Sequence, residues 1–466
     1  MTQSQKFGSE SIGRLLRQQA IPASIGILIM SIYGIVDTIF VGRWVGSLGI
    51  AAITVVMPIT FLIGAIGMSI GIGGASIISR AYGDNNQDRA NLAFAHQVVM
   101  TLVFAILFSI VGGIFMDDLL KIFGGKGDIL EPAHEYFKIT LYSVPFLAWA
   151  MMSNNVIRAE GYPKVAMYTL IVPAVANLIL DPIFIVGFNM GIAGAAWATA
   201  LGYIASGLYA MYYFLFGKSH LKVAWKDLIL KSKIIREISA IGAVTLARQG
   251  TISVLYIVLN NALFKYGDEL SISTWGIINR VMMFANFPVV GITQGFVPIA
   301  GYNYGAQLWD RVKSVILNAI KYGTIISFGL FALIMVFATQ FVSIFTLDQE
   351  MINQAPYALR IVFLATPLIT IQLIGSAYFQ AIGKAAPALF LALTKQGIFL
   401  IPLILVLPLF WGINGIWISF PIADIAAAAI SFRYLKKATD QISESTQSIA
   451  PLRTESAPMS SKAEHQ

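Results

Sequence analysis

Long apolar runs dominate this 466-residue sequence and limit what it can fold into. Apolar residues make up 57% of the chain and charged residues only 12%, whereas a water-soluble domain carries about 25% charged residues. A helix that spans a membrane needs about 20 mostly apolar residues, and twelve such runs can be placed along this chain. The sequence therefore predicts an all-α polytopic membrane protein.

The twelve predicted helices are separated by short polar loops. Several are clearly longer than a membrane span requires, which indicates tilted or bent helices. The predicted ranges are 15–43, 49–79, 91–116, 133–157, 165–188, 191–216, 237–265, 271–302, 311–345, 353–381, 386–410 and 413–435.

The loop with the most basic residues divides six predicted helices from the other six. We therefore predict a first lobe over 15–216, a linker over 217–236 and a second lobe over 237–438, preceded by an N-terminus over 1–14. The tail over 439–466 is rich in Ser, Thr, Glu and Gln. It has too few apolar residues to bury a core, so it is predicted to be disordered.

The positive charges lie mostly on one side of the predicted membrane. Of the 31 Lys and Arg residues, 21 fall in the loops, tails and helix ends on the side of the N-terminus, and five fall on the other side. The positive-inside rule predicts that both termini face the cytoplasm of a cell inner membrane. This location explains the net charge of +8 without a nucleic-acid partner.

The two halves of the chain resemble each other at a nearly constant offset. Three glycine-containing motifs recur in the same order, and each half has an even number of helices, so the halves share one orientation. Such parallel repeats are related by an axis along the membrane normal, and substrate sites tend to lie between them. The matching glycines are Gly83 and Gly305, Gly161 and Gly383, and Gly191 and Gly412.

Two acidic residues lie at the same depth in the predicted membrane. Asp37 precedes Trp44, at the end of the first helix, by seven residues, and Asp181 precedes Phe188 by seven residues. At 1.5 Å per residue, each carboxyl lies about 10 Å below the outer surface. An ionisable group at this depth costs several kcal/mol and is a functional candidate.

Three neutral polar residues share this depth with the acids. Tyr33 and Asn177 precede Asp37 and Asp181 by four residues each, so each lies on the same helix face as its acid, and Thr199 lies eight residues into the sixth helix. These oxygen groups suit Na⁺, for which the predicted ligands are Asp37, Asn177, Asp181 and Thr199. Two close carboxyls in a low dielectric can instead hold a proton. Polar residues can also simply join neighbouring helices.

The second half carries no equivalent acids, because Leu259 and Leu403 stand at the repeat positions of Asp37 and Asp181. Cation coupling is therefore predicted for the first half alone. Asp424, in the twelfth helix, is expected to be a solvated charge at a helix end. Pro22 permits either a moving hinge or a static bend in the first helix. The candidates for a substrate cavity are Arg248, Gln249, Arg280 and Asn154.

Several motifs together resemble the multidrug and toxic compound extrusion (MATE) transporters, most closely their DinF-type and MepA-type branches. The similarity extends over residues 10–438. The residues that carry it are Val36-Asp37-Thr38, Val41-Gly42, Tyr82-Gly83, Arg158-Ala159-Glu160-Gly161 and Asn177-x-x-x-Asp181-Pro182.

The resemblance implies two six-helix lobes in a V shape and the export of organic cations in exchange for H⁺ or Na⁺. It assigns the essential acid to Asp37 with Tyr33 beside it, and the bending proline to Pro22. It implies that Asn177, Asp181 and Thr199 complete the first-lobe cation site. Other branches have an acid in helix 7, where this chain has Leu246-Ala247-Arg248-Gln249-Gly250, so a second-lobe Na⁺ site is not expected.

Other functions remain open at this point. A lipid-linked saccharide flippase of the same superfamily has similar hydropathy, but it often has extra helices and a basic cavity. A sensor or structural membrane protein would not need paired buried acids. An enzyme is not expected, since no nucleophile–base pair, phosphate-binding loop or cysteine is present. We expect a monomer in the lipid bilayer that binds small organic molecules and needs no cofactor other than H⁺ or Na⁺.

Overall fold

The computed structural model describes residues 3–454, with side chains described for residues 3–442. These residues form helices joined by short loops, and they include no strand. We number the membrane segments α1 to α12. Their bounds are α1 Ile12–Trp44, α2 Ser47–Gly83, α3 Gln87–Ile114, α4 Leu130–Leu141 with Val144–Ala159, α5 Pro163–Asp181 with Pro182–Gly187, α6 Gly191–Phe216, α7 Ser232–Tyr266, α8 Glu269–Gly305, α9 Trp309–Ser343, α10 Gln349–Val362 with Ile369–Ala381, α11 Ala385–Leu393 with Thr394–Leu400 and Ile401–Val406, and α12 Ile413–Thr454.

The all-α prediction with twelve membrane segments is confirmed. Within the described residues, 11 helices are long and apolar enough to cross a membrane. The remaining segment, α4, is interrupted at Tyr142 and Ser143, and this break divides it into two shorter helices.

Two predicted boundaries differ from the structure. Helix α7 begins at Ser232, which shortens the linker, and a short 3-10 turn forms at Trp225–Leu228. Helix α12 is described as far as Thr454, whereas the predicted lobe ends at 438; residues 455–466 lie outside the described residues, and the disorder of the tail stays a prediction.

The backbone repeats between the halves as the sequence does. Asn85 and Gln307, which are equivalent at the offset of the repeat, both adopt positive φ, at 52° and 54°. The paired glycines Gly161 and Gly383 have φ of 90° and 80°. Few residues other than glycine adopt this left-handed conformation, so its recurrence at equivalent loops indicates two copies of one fold.

Three apolar cores show how the two lobes, α1–α6 and α7–α12, are arranged. One core consists of first-lobe residues such as Val56 and Phe137, and another consists of second-lobe residues such as Leu259 and Phe420. The third core combines both lobes near the N-terminal side, where Ile78 and Ile299 belong to one cluster. The lobes are therefore joined at that side and have separate cores towards the other.

Glycines allow the two backbones to touch where the lobes meet. A side chain at Gly83 would overlap the carbonyl oxygen of Tyr302 in α8, and one at Gly305 would overlap the carbonyl oxygen of Arg80 in α2. These positions lie at the ends of α2 and α8 nearest the N-terminal side. In the other halves of α1 and α7, Ile39 and Ile257 are about 60% exposed. The V therefore opens away from the N-terminus.

Polar contacts also join the lobes at the closed end. The Arg80 guanidinium lies 2.8 Å from the Glu237 carboxylate in α7, and Arg89 lies 3.3 Å from the same carboxylate. The Ser76 hydroxyl donates to the Gln380 carbonyl at 2.5 Å. Because Arg80 and Glu237 are largely buried, opening this end would expose two charges that now pair.

The segment Ser4–Gly8 packs against this closed end. Phe7 is 2% exposed and belongs to the shared core, with its ring edge-on to Tyr302 at 6.0 Å. The Phe7 carbonyl accepts from Asn303 at 3.0 Å and from Arg311 at 2.8 Å. The segment is thus bonded to second-lobe side chains while Phe7 fills the core that both lobes share.

Phe7→Ala is expected to favour opening at the closed end, because the substitution removes an aromatic ring from the core between the lobes. The chain has no cysteine, so Ser79→Cys provides a single reporter thiol. Ser79 is buried at the interface, and its hydroxyl has no partner among the described residues. We expect its reaction with a hydrophilic maleimide to be several-fold faster in the Phe7→Ala background. Trp225→Ala, which removes an exposed aromatic ring from the linker, is the control and should leave the maleimide reaction rate unchanged. If Phe7→Ala also left that rate unchanged, the prediction would be contradicted.

Candidate cation site

Two carboxyl groups meet between α1 and α5. Asp37 is 8% exposed and Asp181 is 1% exposed, and the two side chains lie within hydrogen-bonding reach of each other. A carboxylate has no proton to donate. The contact therefore requires either a proton on one of the two groups or a cation between them.

A chain of hydrogen bonds fixes the orientation of Asp181. With the Asn177 amide nitrogen facing Asp181, it donates to Oδ2 at 2.5 Å, and the amide oxygen accepts from Thr199 Oγ1 at 3.2 Å. Tyr136 in α4 donates to Thr199 Oγ1 at 3.3 Å. Three helices, α4, α5 and α6, thus hold one carboxylate through neutral groups.

Two further tyrosines complete the surroundings. Tyr33 lies within hydrogen-bonding reach of Thr199, and Tyr203 lies close to Asp37. The structure thus brings together all five residues that the sequence placed at one depth. It adds Tyr136 and Tyr203, which sequence reasoning missed. Tyr203 carried a usable signal, since it follows Thr199 by four residues on one helix face.

A wide helical turn follows Asp181. Pro182 has no N–H to bond the carbonyl of Leu178, and Pro182–Gly187 forms a π-helical turn, which occurs frequently at functional sites. A Cβ at Gly194 in α6 would lie 3.0 Å from the backbone of Phe184 in this turn. This close approach of α5 and α6 lets Thr199 reach Asn177.

The site has unpaired oxygens and little space. Among the described residues, Oδ1 of Asp37 and Oδ1 of Asp181 have no hydrogen-bond partner. A cavity of about 120 Å³ lies beside Asp37 and is lined in part by Tyr33 and Asn177. Sites for drug-sized ligands measure about 300–1,000 Å³, so this cavity fits a cation with a few waters and not an organic substrate.

The ligand set suits a monovalent cation. The part of the chain that the structure describes has no group of three or more His, Cys, Asp or Glu side chains that could hold a metal ion. Asp37 and Asp181 offer carboxylate oxygens, whereas the Asn177 amide oxygen and the Thr199 hydroxyl bond each other in this arrangement and would have to turn to bind a cation. This set can hold one Na⁺ or one proton, and the choice between H⁺ and Na⁺ stays a prediction.

The predicted substrate-cavity residues lie in different surroundings. Gln249 and Arg280 are exposed and Arg248 is half-buried, with the Arg280 guanidinium 5.9 Å from the Phe345 ring. Asn154 lies in α4, where it faces α5. It is buried, and its amide donates to the Ala166 carbonyl at 2.6 Å and to Thr169 at 2.8 Å.

Two predictions about helix charges and bends have different outcomes. Pro22 lies buried inside α1, which continues past it as one helix, so the moving hinge stays a prediction. The expectation that Asp424 is solvated is wrong. Asp424 is 4% exposed and lies 2.6 Å from the Lys395 ammonium, because α12 continues well beyond it and encloses the residue in the second lobe.

Thr199→Val is expected to destabilise the site, because it leaves the Tyr136 hydroxyl without its acceptor and reduces the Asn177 amide oxygen to its bond with the Thr199 backbone N–H. An unsatisfied buried group costs about 1–3 kcal/mol. The apparent Tm of the purified protein in detergent should fall. Thr38→Val is the matched control, since its exposed hydroxyl bonds only within its own helix; equal Tm values for the two variants would contradict the hydrogen-bond chain.

Curated relatives share most of the length of this chain. The multidrug export protein MepA of Staphylococcus aureus (strain NCTC 8325 / PS 47) is 27% identical over 431 residues, which cover 92% of this chain and 95% of MepA. MepA of Staphylococcus haemolyticus is 27% identical over 428 residues, which cover 91% of this chain and 93% of that protein.

Solved structures share the fold at 24% identity. A MATE in complex with MaL6 superposes with a TM-score of 0.89 over 95% of this chain and all of its own. The outward-facing conformation of a multidrug resistance MATE transporter superposes with a TM-score of 0.87. The superposition covers 93% of this chain and 97% of that transporter.

The family model named MatE matches the chain in both lobes. It covers residues 22–183 in the first lobe and 246–406 in the second. The starts of the two matched ranges are separated by nearly the same offset as the internal repeat. This chain belongs to the MatE family and is a multi-pass membrane transporter, not an enzyme.

Proposed function

We propose that this protein exports amphipathic, mostly cationic organic compounds by alternating access, in exchange for H⁺ or Na⁺. The single observation that carries the proposal is the Asp37–Asp181 pair. Each of these two buried carboxyls has an oxygen without a partner among the described residues, and a driving H⁺ or Na⁺ supplies the positive charge that the pair needs.

The size of the site separates coupling from substrate binding. The cavity beside Asp37 is too small for an organic compound, so the substrate occupies the gap between the lobes. Asp37 lies in α1, which faces this gap. A change in the charge of Asp37 therefore changes the charge of a helix that borders the substrate site. Binding of H⁺ or Na⁺ would lower the affinity for a cationic substrate in the outward-open state, since a ligand shifts an equilibrium only through its differential affinity for the two states.

The orientation follows from the distribution of charge. The basic loops on the side of the N-terminus support a cytoplasmic location for the N-terminus and the closed end. With this orientation the V opens to the outside of a cell inner membrane. In this state a substrate can leave and a driving cation can enter. The MepA relatives are described as multidrug export proteins, which supports the direction of transport and the breadth of substrates proposed here.

Asp37→Asn is expected to abolish drug resistance, a loss of at least about tenfold, because the amide cannot take up a proton and coordinates Na⁺ weakly. Resistance to ethidium in cells that express equal amounts of membrane-inserted protein is the measurement. Asp117→Asn, which removes an exposed loop acid, is the control and should behave like the wild type. Wild-type resistance in a well-expressed Asp37→Asn variant would refute the proposal.

The coupling ion is identified in proteoliposomes. A pH gradient and a Na⁺ gradient, imposed separately, should drive ethidium transport by the wild type with only one of the two, and Asp37→Asn should respond to neither. Transport that needs neither gradient would contradict antiport.

A further inference from the structure

A basic and aromatic cavity lies at the N-terminal side of the second lobe. Its volume is about 370 Å³, which is within the usual range for small-ligand sites. Lys384 and Lys437 line it, and the described residues around it include no acid. Part of its wall consists of the aromatic rings of Tyr304, Trp309 and Tyr434. The cavity therefore has the charge to attract an anion.

The cavity lies at the boundary between lipid and water. Lys437 follows Ile413, the first residue of α12, by 24 residues, so it lies about 36 Å along the helix. The hydrocarbon core of a membrane is about 30 Å thick. Lys384 directly precedes Ala385, the first residue of α11. Both ammonium groups thus belong to the level of the lipid headgroups, where Trp and Tyr are also enriched.

The first lobe has an equivalent of this cavity wall. At the offset of the repeat, three wall residues have first-lobe counterparts: Tyr304 corresponds to Tyr82, Ile382 to Glu160 and Tyr434 to Tyr213.

In the first lobe the protein itself fills this place. The Glu160 side chain is 2% exposed, and its carboxylate accepts from the Tyr82 hydroxyl at 3.3 Å and from the Tyr213 hydroxyl at 3.0 Å. The linker folds back after α6, so that the Ser219 hydroxyl and the His220 N–H each donate to this carboxylate at 2.9 Å. An internal anion and a covering segment therefore complete the first-lobe site.

The second lobe lacks both of these at the equivalent place. Ile382 stands at the position of the acid, and α12 continues as one helix past Lys437, the counterpart of Phe216 at the end of α6. The indole N–H of Trp309 has no hydrogen-bond partner among the described residues. The second lobe thus keeps the tyrosines and adds two lysines, but it has no carboxylate of its own at this position.

The wall of the cavity continues into the lipid-facing surface. The Tyr434 ring lies 5.7 Å from the Phe390 ring of α11. Phe390 is 39% exposed, and Phe432, in the same part of α12 as Tyr434, is 56% exposed. A ligand that carries acyl chains can bury them against these rings, whereas a small soluble anion has nothing to place there.

We propose that this cavity binds an anionic phospholipid, with its phosphate between the ammonium groups of Lys384 and Lys437 and its acyl chains against Phe390. The phosphate takes the place that the Glu160 carboxylate has in the first lobe. Lysines bind phosphate as point charges, and basic pockets between membrane helices bind anionic lipid headgroups. Helix α11 begins at the cavity without a side-chain cap, so its first backbone N–H groups also face an anion favourably.

The test is a lipid titration of the purified full-length protein in dodecyl maltoside micelles after lipid depletion. Phosphatidylglycerol should raise the apparent Tm, because a ligand that binds the folded state stabilises it. Phosphatidylcholine, which has no net charge, and inorganic phosphate, which has no acyl chains, should not raise it. An equal rise with either of these two would overturn the proposal.

Lys384→Met/Lys437→Met removes both ammonium groups from the cavity. Both side chains are exposed, so the fold should be kept. The phosphatidylglycerol concentration that gives half of the Tm rise should increase at least about tenfold, since each lysine attracts the anionic headgroup. Lys164→Met/Lys222→Met removes two exposed lysines on the same side of the first lobe and is the matched control. Equal concentrations for the two double variants would refute the lipid site.

Ile382→Glu tests the equivalence with the first lobe. The new carboxylate should occupy the phosphate position and abolish the Tm rise with phosphatidylglycerol; a full rise in this variant would contradict the proposal. Lys384→Met/Lys437→Met also distinguishes a ligand from a segment of the protein. If this double variant lowered the Tm equally with and without phosphatidylglycerol, the occupant would belong to the chain itself, and the lipid site would be excluded.

Discussion

The absence of water inside a membrane is the constraint on which the rest of this structure depends. Every buried polar group must find its partner within the protein, because the lipid supplies none. The hydrogen-bond chain from Tyr136 through Thr199 and Asn177 to Asp181 is one answer to this requirement. The Lys395–Asp424 pair is another. Asp37 and Asp181 each have one carboxyl oxygen without a partner among the described residues, and this is where we propose that the driving cation binds.

The contact between the lobes sets which side of the protein is accessible. Glycines in α2 and α8 let the backbones touch at the N-terminal side, and Phe7 fills the shared core beside them. Towards the other side each lobe has its own core. The same two lobes can therefore separate at one end without losing their internal packing, which is the mechanical requirement of alternating access.

Much of the fold and of the first-lobe site could be predicted from the sequence. Helix length and depth are simple functions of residue number, so counting from Trp44 and Phe188 placed Asp37 and Asp181 at one level. Counting along separate helices gives no lateral position, so it missed Tyr136, which reaches Thr199 from α4.

The sequence by itself determined the membrane class, the twelve segments, the internal repeat and the depth of the acids, because each of these depends only on hydrophobicity and spacing along one chain. The tertiary structure alone decided which helices are neighbours. It turned Asp424 from an apparent helix-end charge into the partner of Lys395. It also decided which end of the V is closed, since contacts such as those of Gly83 with Tyr302 join residues of different lobes that lie far apart along the chain, and no local pattern encodes them.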